Sequence, residues 1–157
     1  MNIKHSNGSC ILEARSTYFY EMGIAQYDKY SKERLMKDKD LLLCIGYMFE
    51  QSVELILKQI AFDCTQSYPE VHRIFIVVNF IKDNITQSKL QSRKELLRVL
   101  DEIEQNSKVY NSLSYAAKYE PDVRFSVRQL EELIEINEKI LRWYRKHGLA
   151  HEEYRHE

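Results

Sequence analysis

Arginine and histidine side chains are concentrated at the C-terminal end of the chain. Arg142 and His147 are separated by four residues, and Arg145 and His151 by five. A histidine can act as a general base on a 2′-hydroxyl, and an arginine can hold a phosphate and its developing charge. Arg142 and His147 are therefore a candidate catalytic pair. The alternative is a solvated basic helix end, where cations suit the helix dipole and the spacing arises by chance.

Two further groups of side chains could hold a phosphate. His72 and Arg73 lie near the predicted start of a helix, where free N–H groups and the helix dipole favour anions. Lys118, Tyr119 and Arg124 precede the last predicted helix, so that two cations could hold phosphate while Tyr119 stacks on a base. The alternatives are a surface or interface role for His72 and a structural role for Tyr119 as a plug of the bundle end.

The composition predicts one helical globular domain. The chain has 157 residues, of which 30% are charged and 44% apolar, with only Gly 4 and Pro 2. We expect residues 1–157 to form a single domain, with 1–9 and 149–157 loosely held. A net charge of −1 argues against a broad nucleic-acid-binding face, although it allows a small phosphate site.

The remaining chemistry-bearing residues exclude several other classes of site. The three cysteines are far apart and show no CxxC spacing, and we expect Cys44 and Cys64 to be small buried hydrophobes. We find no phosphate-cradling glycine loop and no metal-ligand cluster, so no metal and no cofactor is predicted. No secretory signal and no membrane-length apolar run is evident, and a cytoplasmic protein is the expectation.

The candidate residues must be positioned by a helical bundle, and its predicted centre is the stretch 40–62. Apolar residues recur there at steps of three and four, and others cover the remaining faces. A helix that is apolar nearly all round is buried between several partners. The main face comprises Leu42, Ile45, Phe49, Val53, Ile56 and Ile60.

One polar stripe interrupts this central helix. Glu50, Glu54 and Lys58 follow at four-residue steps, with Gln51 beside them. Glu54 four residues before Lys58 is the favourable order for an ion pair on a helix. The stripe is either a solvated face or a polar seam at a partner or ligand surface.

Four other helices complete the predicted up-and-down α-bundle. The first covers about 11–30 and is followed by a charged connector, 31–39, which we expect to be a loop. A third helix starts at Pro69 and runs to Ile85, although the run IFIVV could instead form a short buried strand. The central helix is expected to end near Thr65.

Capping patterns mark the last two helices. Ser92 with Glu95 predicts a capping box at the start of the fourth helix, whose apolar stripe extends to about residue 114. Ser126 with Gln129 predicts a second capping box, and the last helix runs to about residue 146 before Gly148, a left-handed cap. The residues expected to face inward on the last helix are Leu130, Leu133, Ile134, Asn137, Leu141 and Tyr144.

The central helix resembles the second helix of the HEPN family, a helical domain of prokaryotes and higher eukaryotes. That helix carries a pattern like aromatic-x-x-Gln-Gln-x-Val-Glu-x-x-Leu-Lys, and Glu50 stands where the family often has Gln. The positions that fit are Tyr47, Gln51, Val53, Glu54, Leu57 and Lys58.

Three further segments carry the same resemblance, which covers about residues 9–147. One is the last helix, which is amphipathic and ends in basic and aromatic residues. Pro69 and His72 match a proline-containing turn and a histidine near the start of the third helix. Many family members have Arg-Tyr-Pro before the last helix, and the run 118–121 resembles that motif with Lys118 for Arg and Glu120 inserted.

The resemblance implies a helical bundle that often pairs through its helices and has a nucleotide- or RNA-related role. Many members work beside a small nucleotidyltransferase, and many are ribonucleases or toxins. Active ribonucleases of the family carry Arg, four to six residues and then His near the start of the last helix, and two copies meet across a dimer. Here the stretch 118–125 lacks histidine, and Arg142 and His147 have the spacing but lie at the helix end.

The functional hypothesis is a HEPN-like homodimer that serves as a binding or partner module for nucleotides or a nucleotidyltransferase, with no membrane association. One alternative is a metal-independent, toxin-type ribonuclease that acts through Arg142 and His147. A structural helical adaptor is the third class of function.

Overall fold

The computed structural model describes residues 2–3, 11–85, 92–106 and 124–148, and it confirms an all-α bundle. A two-residue antiparallel ladder pairs residues 2–3, near the N-terminus, with residues 68–69, which connect two helices. The elements are β1 (Asn2–Ile3), α1 (Ile11–Lys29), α2 (Lys32–Lys37), α3 (Lys39–Thr65), β2 (Tyr68–Pro69), α4 (Ile74–Asn84), α5 (Arg93–Gln105) and α6 (Val127–His147).

Helix α3 is the centre of the fold, as its apolar pattern predicts. It packs against α1, α2, α4, α6 and β2, while α5 lies against α4 and α6. Phe49, Val53 and Ile56 are completely buried on its main face. Asp38 begins the helix, because its carboxylate accepts a hydrogen bond from the Leu41 N–H at 3.1 Å.

Two glycines allow close packing against α3. A Cβ atom on Gly23 of α1 would lie 2.8 Å from Phe49 Cζ, and one on Gly46 of α3 would lie 2.6 Å from Phe125 Cε1. Such distances are too short for a real side chain. Glycine at these positions therefore lets α1 and the segment before α6 approach the central helix.

A buried polar layer joins α1, α3 and α6 deeper in the core. Ser52 Oγ donates to Ser16 O at 2.8 Å, and it also contacts Asn137 Oδ1 at 3.0 Å. Asn137 Nδ2 donates to Phe49 O at 3.2 Å. Because buried polar groups are costly unless paired, this layer fixes the register of the three helices.

The connector 31–39 contains a short helix rather than the expected loop. Ser31 caps α2 by accepting from the Arg34 N–H at 3.3 Å, and Leu35 is completely buried. A single buried leucine among charged residues shows no periodicity, so the sequence pattern could not reveal this helix.

The sequence predicted that Pro69 starts the next helix, and this prediction is wrong. Pro69 pairs with Asn2 in the β1–β2 ladder, and α4 begins at Ile74. The run IFIVV is helical, so the prediction of a helix there is confirmed and the strand alternative is wrong. The buried pairing with β1 is a tertiary contact that local proline preferences do not encode.

The caps of the last two helices differ from one another. Ser92 has φ 54° and its side chain makes no capping hydrogen bond, so the box predicted with Glu95 is wrong. The box of Ser126 and Gln129 is confirmed, with hydrogen bonds of 3.1 and 2.9 Å. Helix α5 ends at Gln105, and the predicted continuation to residue 114 lies outside the described residues.

Two smaller sequence predictions are also wrong. Gly148 has φ −64°, which is extended rather than left-handed backbone. A Cβ atom there would collide with the Tyr144 ring, so glycine is needed for space instead. Cys44 is exposed rather than buried.

None of the described helices is both long and apolar enough to cross a membrane.

Candidate functional site

The polar seam on α3 (Glu50, Gln51, Glu54 and Lys58) is largely inside the protein. Glu54 Oε1 accepts a hydrogen bond from Lys58 Nζ at 2.7 Å, and the side chains are 3% and 8% exposed. The Lys58 ammonium also lies 5.9 Å from the Tyr68 ring centroid. Glu50 is completely buried and Gln51 is half-buried. The alternative of a solvated face is therefore wrong for this stripe.

His72 closes the outer end of this seam. Its Nδ1 atom lies 3.0 Å from Glu54 Oε1, although the histidine side chain is 83% exposed. Arg73 is exposed and stands at the start of α4, where its side chain makes no capping hydrogen bond. The nearby carboxylate gives His72 a structural partner and disfavours an anion at the same ring nitrogen.

The third candidate site, which was predicted to bind phosphate before the last helix, falls mainly outside the described residues. Lys118 and Tyr119 belong to the segment that the structure does not describe. Arg124 is exposed, and it directly precedes Phe125, whose ring packs on Gly46. The grouping of Lys118, Tyr119 and Arg124 stays a prediction.

The candidate pair Arg142 and His147 is not brought together within one protomer. A step of five residues turns about 140° around a helix axis, so the two side chains leave α6 on different sides. Arg142 is exposed. His147 is 11% exposed, its ring centroid lies 5.6 Å from that of Trp143, and its Nε2 lies 3.8 Å from Glu95 Oε2.

Arg142 instead contributes to a groove between α5 and α6, which we call the basic groove. The groove has a volume of about 290 Å³. It contains four cations and two carboxylates above the buried Trp143, and the charges therefore sum to a positive excess. The lining residues are Glu95, Arg98, Val99, Glu102, Lys139, Arg142, Trp143 and Lys146.

The cations of the basic groove differ in their pairing. Lys139 Nζ lies 3.1 Å from Glu102 Oε2 and 3.4 Å from Glu135 Oε1. Its hydrogen bond to Glu102 raises the pKa of Lys139. Within the described ranges, Arg98, Arg142 and Lys146 form no ion pair with a carboxylate at or under 4.0 Å. These three charges are available to a ligand.

A second pocket of about 370 Å³, the α1–α6 pocket, lies on the other side of Arg142. It is lined by Tyr20, Glu138, Leu141, Arg142 and Arg145. Tyr20 Oη donates to Glu138 Oε1 at 2.7 Å. Burial, followed by this hydrogen bond and the charge of Glu138, raises the pKa of Tyr20 to about 12.

Sequence analysis missed the part of the groove that comes from α5. Arg98 and Arg142 are 44 positions apart in the chain, and only packing brings them to one groove. Lys139, Arg142 and Lys146 could have been recognised, since their spacing of three and four places them on one helix face. Among the described residues, no group of three or more His, Cys, Asp or Glu could hold a metal ion.

Comparison with models of protein families shows to which family the chain belongs. The family model of the HEPN domain matches residues 22–147, from the middle of α1 to the end of α6. The chain belongs to the HEPN domain family. HEPN domains commonly dimerise, and the family association is with nucleotides or RNA. A search of curated proteins and a search of solved structures found no significant match. In this HEPN domain, the motif residues Glu54 and Lys58 are internal, whereas Arg98, Arg142 and Lys146 of the basic groove are exposed.

Proposed function

We propose that this HEPN domain is a non-catalytic binding or partner module for RNA or nucleotides, and that it acts as a homodimer. The observation that carries the proposal is the position of His147. Its ring lies against Trp143 and is mostly buried, while the exposed Arg142 leaves the helix on another side. A general base must reach the hydroxyl from which it takes a proton, and His147 is not exposed beside Arg142.

A nucleotidyltransferase is the protein partner that we propose for this module. The resemblance to the HEPN family supports this partner, because many members work beside a small nucleotidyltransferase. The phosphate-binding roles suggested for His72, Arg73, Lys118, Tyr119 and Arg124 belong to the same proposal. Of these, Arg73 and Arg124 are exposed cations near helix starts, as phosphate binding requires.

The second candidate function is a metal-independent ribonuclease of the toxin kind. The exposure of Arg142 favours it, since an arginine at the surface can hold the phosphate of an RNA and its developing charge. A structural adaptor without a ligand is the third candidate, and the buried ion pair of Glu54 and Lys58 is compatible with it.

Cleavage of RNA by the purified protein without metal distinguishes these functions. The wild type is compared with Arg142→Ala, His147→Gln and His72→Ala, and circular dichroism confirms that each variant is folded. We expect no cleavage, or the same trace cleavage in all four proteins. Cleavage that disappears in folded His147→Gln would overturn the proposal and identify the base.

Binding and assembly are measured on the same samples. Fluorescence anisotropy with a labelled single-stranded RNA, competed by ATP, reports the ligand, and light scattering reports the mass. We expect saturable, salt-dependent binding by a dimer. A folded protein that binds neither RNA nor ATP would reject the ligand-binding function and favour the structural adaptor.

A further inference from the structure

We infer that the basic groove and the α1–α6 pocket together hold consecutive phosphates of a single RNA strand, which crosses the end of α6 over Arg142. This inference rests on the proposed function, and it assigns that function a place and a form of ligand. The location differs from the segments at 72–73 and 118–124 that sequence analysis singled out for phosphate, and it includes Arg142, which was predicted only as half of a catalytic pair.

The charge distribution is the first support for this site. Arg98, Arg142 and Lys146 line the basic groove and Arg145 lines the α1–α6 pocket, and none of them has a carboxylate ion-pair partner among the described residues. Two carboxylates line the groove with them, and a third, Glu138, lines the pocket. Two of these carboxylates have close partners, because Glu102 pairs with Lys139 at 3.1 Å and Glu138 accepts from Tyr20 at 2.7 Å, while Glu95 lies 3.8 Å from His147. The repulsion within a cluster of like charges is relieved when an anion binds, and the guanidinium group of arginine matches the geometry of phosphate.

The position of Arg142 indicates a strand rather than a single phosphate. This residue lines both the groove of about 290 Å³ and the pocket of about 370 Å³. Arg98 and Lys146 face the first cavity, and Arg145 faces the second. One phosphate can occupy only one of the two cavities, whereas successive phosphates of a strand can use both and share Arg142.

The site reads phosphates and not bases. Trp143 is 2% exposed, and its indole N–H donates to Ser92 O at 3.3 Å. The ring therefore forms the floor of the groove and offers no face on which a base could stack. Contacts to phosphate carry no sequence information, so binding should be independent of sequence and strongly salt-dependent.

The test removes the three groove cations that lack a described ion-pair partner. Anisotropy of a labelled single-stranded RNA is measured with Arg98→Ala/Arg142→Ala/Lys146→Ala and with a matched control, Arg34→Ala/Lys37→Ala/Arg128→Ala. The control removes the same charge from exposed positions on α2 and at the start of α6. We expect roughly a tenfold or greater loss of affinity in the groove variant and less than about a twofold loss in the control.

Salt dependence and competition complete the test. The slope of log affinity against log salt should fall by about 2 in the groove variant, because each lost phosphate contact on a single strand removes about 0.7. Unlabelled RNA should compete at much lower phosphate concentration than pyrophosphate or ATP. Equal competition by pyrophosphate would reject a strand, and equal competition by ATP alone would identify a free nucleotide.

The possible failures are distinguishable from one another. If the wild type binds RNA and both triple variants lose affinity equally, the groove assignment is wrong and the proposed function stands. If the wild type binds neither RNA nor nucleotide, the proposed function fails and the groove assignment fails with it. The single tryptophan of the chain gives an independent signal, since RNA should change Trp143 fluorescence in the wild type and not in the groove variant.

Discussion

The polar seam of α3 and the C-terminal half of α6 have similar charge spacing but opposite environments. Glu50, Glu54 and Lys58 recur at four-residue steps, and Lys139, Arg142 and Lys146 recur at steps of three and four. The first stripe contains both signs of charge, so Glu54 and Lys58 neutralise each other and can be buried. The second contains one sign only, and Arg142 and Lys146 therefore stay at the surface, where a ligand can reach them.

The acidic half of α6 shows how the cations come to be available. Each of its four glutamates has a partner, and these contacts tie α6 to the rest of the bundle or to itself. Glu131 contacts Lys32 and Tyr27, Glu132 contacts Arg128, Glu135 contacts Lys139, and Glu138 contacts Tyr20. Most of the glutamates of α6 therefore pair with positive or hydroxyl groups outside the basic groove.

Disruption of the buried ion pair in the α3 seam should have the largest effect on stability. Replacing Lys58 by Met should lower the free energy of unfolding by about 3–5 kcal/mol, because Glu54 is left buried with His72 as its remaining ion-pair partner among the described residues. Urea unfolding at neutral pH measures the loss.

The double variant Glu54→Gln/Lys58→Met is the matched control for this prediction. It removes both charges, and we expect it to recover most of the lost stability. A loss under about 1 kcal/mol in Lys58→Met alone would show that the seam does not depend on its charges.

Tyr20 lies at the boundary between the two halves of α6, and its removal should have a smaller effect. Tyr20→Phe deletes the hydrogen bond to Glu138 and should cost about 1 kcal/mol at neutral pH. Because the folded pKa of Tyr20 is raised to about 12 from 10.0, its contribution is complete below pH 10 and is lost as pH rises towards 12.

Measurements of the free energy of unfolding from pH 9 to pH 12 check the direction of this pH dependence. The stability difference between the wild type and Tyr20→Phe should shrink across that range. The exposed Tyr18 supplies the control, and Tyr18→Phe should leave the pH profile unchanged. A constant difference for Tyr20→Phe would mean that the phenol does not titrate in contact with Glu138.

Each of the groove cations should have the smallest effect on stability. Arg98→Ala/Arg142→Ala/Lys146→Ala should change the free energy of unfolding by no more than about 0.5 kcal/mol per site, since exposed residues without ion pairs contribute little. Relief of repulsion could even stabilise the fold at low salt. A cooperative loss of several kcal/mol would mean that these cations are structural, and the contrast with the α3 seam would disappear.

Features governed by local periodicity were predictable from the sequence. The apolar pattern of 40–62 located α3, and Leu130 and Asn137 were correctly expected to face inward on α6. The capping box of Ser126 and Gln129 was also recognised, because its partners are only three residues apart. Such features depend on the chain's own helical geometry.

Features governed by distant partners were not predictable in this way. Ser92 had the right neighbour for a capping box, yet its carbonyl accepts from Trp143 of α6 and its backbone is left-handed. Pro69 suited a helix start locally, but it pairs with Asn2.

By itself, the sequence determined the helical class, the central helix, the inward face of the last helix and the resemblance to the HEPN family. The tertiary structure alone decided that Glu54 and Lys58 are buried and that Arg98 joins Arg142 in one groove. The physical reason is that helical periodicity acts over three or four residues. Whether a charge is buried depends on which distant element covers it. Whether cations from separate helices form one group depends on how those helices pack, which lies beyond the range of helical periodicity.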